Sequence, residues 1–289
     1  MKVMYTIART SLALSVIVFL TVTAFAQDKL LLSEIVVTPT AGEYVEIYNP
    51  GSSTVTLTNY YLTDATSSFS SLYYYNIVLL NKKSGGASSS DFNARFPSGA
   101  AIAAREYQTV ALNGAVNFNT TFGVNPTYEL VATDPAIPDM LEAEAGSIGS
   151  GGGLSDNGEF VVLYFWDGAS DLVTDIDYVV WGDQNEAVDK TGITIDGPDD
   201  GTTTSAYAND TEIASQTIVG PSPNPEGSDP ALHSAGNSGQ RIDFNEGTQT
   251  ATGSNGISGA DETSENIDLT WHADSTATPN AGPQTIASL

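Results

Sequence analysis

The sequence predicts an all-β fold, an antiparallel sandwich. Three observations lead there. Apolar residues alternate with polar ones at period two in several short runs, which is the mark of half-buried strands. Gly, Pro, Asn and Asp cluster between those runs and supply turns. The stretch 30–64 already holds three such runs in close succession, an antiparallel meander that seeds a sandwich.

Within that stretch, residues 30–37 form an apolar run that ends at Thr38-Pro39. Residues 43–49 then alternate, with Val45 and Ile47 facing one way and Tyr44, Glu46 and Tyr48 the other. Asn49-Pro50-Gly51 stops this strand, because Pro donates no hydrogen bond and Gly permits a positive φ. Residues 55–62 alternate again, placing Val55, Leu57, Asn59 and Tyr61 on one face. Residues 71–80 (SLYYYNIVLL) read as a long strand, and the Lys, Gly and Ser of 81–90 as an exposed loop. A further strand is expected over 106–112. Asn and Thr are poor helix formers, so 115–123 reads as a turn or a single-turn helix. Residues 127–131 read as a short strand. The hairpin 160–181 turns at Asp167-Gly168, with Asp175 and Asp177 on one face of its second strand. The alternation selects Leu31, Ile35, Val37, Val45, Ile47, Leu57, Leu62, Val110, Leu112, Val161, Leu163 and Val179 as core.

Residues 33–64 also carry a resemblance. Ser33-Glu34-Ile35, then the run from Gly42 through Glu43, Tyr44, Val45, Glu46, Ile47, Tyr48, Asn49 and Pro50 to Gly51, then Val55, Leu57, Tyr60, Leu62 and Asp64, resemble the opening of the lamin-tail domain of secreted bacterial proteins. Leu154-Ser155-Asp156-Asn157-Gly158-Glu159, the hairpin, and Trp181-Gly182-Asp183 are similar to that family's closing hairpin. Phe96-Pro97-Ser98-Gly99 with the strand after it, Gln240-Arg241-Ile242, and Trp271 before Ala277-Thr278-Pro279 fit the same pattern. The resemblance implies an immunoglobulin-like β-sandwich, of roughly seven to nine strands for such a fold. It implies no catalytic motif, since the family shares a fold and not a site.

The N-terminus reads as an export signal. Lys2 and Arg9 precede an apolar run over 12–22 and the small-x-small end Ala24-Phe25-Ala26, so cleavage is expected after Ala26. The apolar run is shorter than the ~20 residues a membrane-spanning helix needs. The expected organisation is a signal at 1–26, a lamin-tail-like core at 27–183, an acidic Gly/Pro/Ser/Thr-rich excursion at 184–237 and a returning segment at 238–289. There are no cysteines, hence no disulfide and no cysteine metal site. The formal net charge of −26 disfavours binding to nucleic acid or to anionic membrane surfaces. It suits a soluble secreted protein that associates with cations. The expected partner is a protein, extracellular matrix or polysaccharide.

Four sets of residues are candidates for chemistry. His233 and His272 are the only histidines, and no Gly-x-Ser-x-Gly elbow accompanies them, so both read as structural or exposed. Glu43 with Glu46, and Asp175 with Asp177, are paired acids of the kind glycosidases use, but read as the solvent face of a sheet buried on one side. Tyr73, Tyr74 and Tyr75 read as strand aromatics, at least one of them in the core, with a sugar- or partner-binding platform as the rival. The candidate metal site is calcium at Asp196, Asp199 and Asp200, which crowd a Gly/Pro turn just after Asp183, Glu186 and Asp189. Their spacing departs from the EF-hand loop, and a solvated acidic loop is the competing reading. The chain therefore reads as a secreted, non-catalytic structural or interaction module. A secreted hydrolase with an acidic, metal-assisted site over 183–201 is the alternative.

Overall fold

The computed structural model describes residues 29–66, 72–86, 91–149, 152–198, 201–220 and 232–283. The apolar opening run forms β1 (Leu31–Val36) and the alternating segment after it forms β2 (Tyr44–Tyr48). They pair antiparallel, Val36 opposite Tyr44 and Leu31 opposite Tyr48. Asn49 fixes the corner that follows: its Nδ2 donates to the Ser53 and Ile102 carbonyls, and its Oδ1 accepts from Gly51 N–H. The chain then leaves the first sheet. β3 (Val55–Thr56) forms a two-stranded ribbon with β6 (Ala101–Ile102), while β4 (Tyr60–Thr63) enters a second sheet. The three opening runs are thus split between layers and do not form one meander.

The remaining strands are β5 (Asn93–Arg95), β7 (Tyr107–Ala111), β8 (Tyr128–Glu129), β9 (Leu141–Glu142), β10 (Glu159–Phe165), β11 (Thr174–Trp181), β12 (Thr194–Ile195), β13 (Ser205–Ala206), β14 (Asn237–Arg241) and β15 (Trp271–Thr276). Six form one sheet in the order β15-β14-β1-β2-β7-β8, and five form the other in the order β11-β10-β4-β5-β9. Only the β7–β8 pairing is parallel among the described ladders. The two sheets enclose the core, and all twelve residues expected there are buried.

Both outer faces are covered as well, which the alternation did not suggest. Over the first sheet lies α1 (Ala115–Phe122), whose Phe118 and Phe122 meet the Tyr44 ring edge-on, each at 5.4 Å between centroids. This helix runs past a single turn through that packing on Tyr44, while Thr120, Thr121 and Asn117 turn their side chains back onto the carbonyls four residues earlier. Gly123, at φ 73°, ends it in the left-handed conformation that Gly adopts without strain. The C-terminal segment crosses the same face: Thr278 N–H donates to Glu34 and Asn280 N–H to Glu46.

Over the second sheet lies Tyr74–Leu79, a 3₁₀ helix where the sequence predicted strand. Tertiary packing overrides β-propensity here. The Tyr74 ring packs on Tyr164 at 5.2 Å, and a strand would carry alternate residues of this apolar run away from the sheet. Ser71 lies outside the described residues. Ser84, Gly85 and Gly86, expected in an exposed loop, are buried: Ser84 N–H donates to Glu144 and its carbonyl accepts from Asn93. Residues 87–90 of that loop lie outside the described residues. The excursion also covers this face, through Val188, Tyr207 and Gln216, and the returning segment adds β14 to the edge of β1.

Candidate functional site

The chemistry of this fold is concentrated in buried charge, and a bulge creates it. Leu163 pairs with Asp177 and Tyr164 with Asp175, so β11 carries one extra residue, Ile176, against β10. Adjacent residues of β10 point to opposite faces, and their partners follow. Asp175 and Asp177 therefore point to opposite sides of the sheet, not to one face, and neither meets solvent. The reading of a solvent face fails because it assumed regular alternation and burial on one side only.

Asp175 points outward, under the excursion. There Lys190 Nζ lies 2.6 Å from Asp175 Oδ2, 2.8 Å from Asp210 Oδ2 and 3.2 Å from the Tyr74 hydroxyl, which itself donates to Asp175 Oδ1 at 2.8 Å. Lys190 is fully buried. Burial opposes its charge, but Asp175, Tyr74 and Asp210 more than offset that and hold the ammonium well above its ordinary value. The paired turn at Asp210 is fixed by Lys190 N–H on Oδ2 and Asn255 Nδ2 on Oδ1.

Asp177 points inward, between the sheets. Arg241 of β14 reaches both its oxygens, at 2.7 and 2.9 Å, and also bonds Glu265 at 2.6 Å and the Leu32 carbonyl at 2.8 Å. Leu32 N–H donates to Asp177 Oδ2 at 2.5 Å. The Trp271 ring lies 5.3 Å from the guanidinium, a cation–π contact. Three segments distant in sequence thus meet on one buried Arg.

The other candidates fall as follows. Glu43 and Glu46 are buried, not on a solvent face: Asn113 Nδ2 donates to Glu43, and the C-terminal segment covers Glu46 through Asn280 N–H. Burial, then the neighbouring Glu34, pushes Glu46 up to about 8. His233 is buried, and its Nε2 accepts from Val37 N–H at 2.8 Å. Its Nδ1 must then carry the proton, donated to the Ser234 carbonyl. His272 is exposed on β15 beside Ser275. Tyr73 and Tyr75 stack at 5.2 Å while Tyr74 turns inward. Asp183 and Glu186 line one shallow concavity of about 190 Å³ with Ser155, Asn157, Gly158 and Asn185, and neither histidine joins them. Asp189 accepts from Thr191 N–H, Asp196 is exposed, and Asp199 and Asp200 lie outside the described residues.

Lys190, Asp210, Arg241 and Glu265 were not singled out from sequence. A usable signal exists for the two cations. The chain has nine Lys and Arg against 35 Asp and Glu, and Arg241 sits inside a strand. A scarce cation within a structured segment of an acidic chain is a candidate for a buried pair.

Two packed sheets held by buried ion pairs, with immunoglobulin-like architecture, define a sandwich module. The lamin tail domain family matches residues 23–219, and the chain belongs to that family. The crystal structure of a DUF4876 family protein from Bacteroides thetaiotaomicron is similar, with a TM-score of 0.45, 14% identity, and coverage of 90% of this chain and 75% of that one. No match is found among curated proteins.

Proposed function

We propose that the chain is a secreted, non-catalytic interaction or structural module, bound to a protein, matrix or polysaccharide partner. The observation that carries this reading is the use made of the reactive side chains. Lys190, Arg241, Asp175, Asp177 and His233 are buried and engaged in holding segments together. They are not presented to a substrate. The described concavities of about 190, 240 and 280 Å³ fall below the ~300–1,000 Å³ of ligand pockets. Export rests on the pattern of residues 1–26, which lie outside the described residues.

The hydrolase alternative keeps one supporting fact: Asp183 and Glu186 share a concavity. It lacks a histidine there. Two measurements test the proposal. N-terminal sequencing of secreted protein should begin at Gln27, and a protein retaining residues 1–26 would remove the export part. Ester, phosphate and glycoside substrates should show no turnover. Reproducible turnover abolished by Asp183→Asn or His272→Ala would establish the hydrolase instead.

A further inference from the structure

A second group of acids lies beside the Arg241 network and has no role in the reading above. Glu246 follows β14, and Glu262 sits in the 3₁₀ turn Glu262–Ser264. Ligand oxygens of Asp177, Glu246 and Glu262 all lie within 4.8 Å of one another. Glu246 is 4% exposed and Glu262 2% exposed. Each has one engaged oxygen: Lys29 holds Glu246 Oε2, and Gln249 Nε2 donates to Glu262 Oε2 at 2.7 Å. The other oxygen of each, Glu246 Oε1 and Glu262 Oε1, is buried without a hydrogen-bond partner. A buried, unpartnered carboxylate oxygen is costly to leave so.

The local charge balance sharpens the point. Asp177 lies in electrostatic range of Glu246, Glu262 and Glu265, Glu246 in range of Glu262 and Glu265, and Arg241 and Lys29 are the cations facing them. Burial raises Asp177, Glu246 and Glu262 above their ordinary values, so ionising all four acids would leave two negative charges beyond the two cations. A single divalent cation supplies the balance.

We infer that Asp177, Glu246 and Glu262 form a calcium site that pins the returning C-terminal segment to the sandwich. All three ligands are hard oxygen donors, and no imidazole or thiolate is among them, which suits calcium and not zinc. Separations of no more than 4.8 Å let all three carboxylates reach one ion at the ~2.3–2.6 Å of calcium–oxygen bonds. A concavity of about 240 Å³ is lined in part by Lys29 and Gln249, the two residues that hold the glutamates. Asp177 is fixed in advance, since Leu32 N–H, Tyr178 N–H and Arg241 all hold it. The ion would join β11 of one sheet to the chain that leaves β14 of the other.

The test is calcium binding by the full mature chain. Protein stripped with chelator is melted in high sodium chloride, with and without calcium, and titrated by calorimetry. A hundredfold excess over Kd is expected to raise Tm by about 5–10 °C for a domain of this size, a shift that salt does not reproduce. Glu262→Gln and Glu246→Gln keep the side-chain shape and remove one negative charge each. Both are expected to fold without calcium at least as stably as the parent, and to weaken calcium binding at least tenfold. Asp196→Asn is expected to keep the parent's response. The inference is overturned if the parent binds no calcium, which would leave protons as the balancing charge. It is equally overturned if Asp196→Asn abolishes the response while Glu262→Gln retains it, which would move the ion to the surface turn.

Discussion

Replacing Lys190 by Met is the sharpest perturbation of this fold. Met fills most of the same volume, so packing changes little, and the ammonium alone is lost. Three hydrogen bonds go with it, to Asp175, Asp210 and the Tyr74 hydroxyl. Two carboxylates are then left buried without a cation. Breaking a buried pair in this way costs about 3–5 kcal/mol, most of it the stranded charge. Against a total of roughly 5–15 kcal/mol for a native protein, this removes a large share. Tm should fall by about 6–20 °C, taking ~2–4 °C per kcal/mol for a chain of this length. Urea unfolding gives the value directly. The stranded-charge account makes a second demand. Adding Asp175→Asn and Asp210→Asn to Lys190→Met should recover much of the loss, because neutral amides do not require the ammonium. A Lys190→Met protein with an unchanged midpoint, or a triple variant less stable than the single one, would refute the reasoning.

Three further outcomes follow from the geometry. Ile47→Ala empties a fully buried position on β2 and should cost about 2–5 kcal/mol by urea midpoint, and no change would mean that Ile47 is not a core residue. His233 is held neutral, its burial keeping the ring below the ordinary histidine value. Its contribution is full above the unfolded value of ~6.5 and is lost as pH falls from there toward the folded value, by up to about 1.4 kcal/mol per pH unit. The stability gap between parent and His233→Gln should shrink between pH 7 and pH 5, and a constant gap would reject that sign. Glu46 behaves oppositely, since its folded value is raised to about 8 from 4.5. The folded state keeps its proton, so this stabilisation is full below 4.5 and is lost as pH rises through about 8. Glu46→Gln should gain on the parent as pH rises over that range, and a gain confined to acid pH would refute it.

The core of the sandwich was legible because its strands obey period two. Val45 and Ile47 alternate with Tyr44, Glu46 and Tyr48, while Val161, Leu163 and Val179 hold every second place in more continuously apolar strands, and each is fully buried. What lay on the other face was not legible. Tyr44, Glu46, Asp175 and Tyr178 look like solvent residues when only local periodicity is read. They are buried because distant segments return over them: α1, the C-terminal segment and the excursion. Asp175 and Asp177 failed for a second reason. A bulge shifts parity by one residue, and nothing in Thr174, Asp175, Ile176 and Asp177 announces the extra residue. Tyr74–Leu79 failed because its aromatic and β-branched composition suits a strand, while the surface it must cover requires a short helix. The partners Lys190 and Arg241 are 15 and 64 residues from their acids, beyond any local pattern.

This long-range wiring bears on where the folding unit ends. The family match stops at residue 219, before β14 and β15. Yet β14 pairs with β1, Glu34 opposite Gln240, and supplies the Arg that neutralises Asp177. A chain cut after residue 219 would leave β1 as an open apolar edge, a template for aggregation. It would also leave Asp177 buried without its guanidinium, at about 3–5 kcal/mol from that term alone. Glu34 would lose the bonds from Ser238, Gln240 and Thr278, and the uncovered outer face would lose Asn280 from Glu46. Together these remove a large share of the roughly 5–15 kcal/mol that holds a domain folded. Residues 27–219 alone should therefore lack a cooperative unfolding transition and dispersed amide resonances, while 27–283 should show both. A cooperative 27–219 fragment with near-parental stability would mean that β14 and Arg241 decorate the sandwich and do not hold it together.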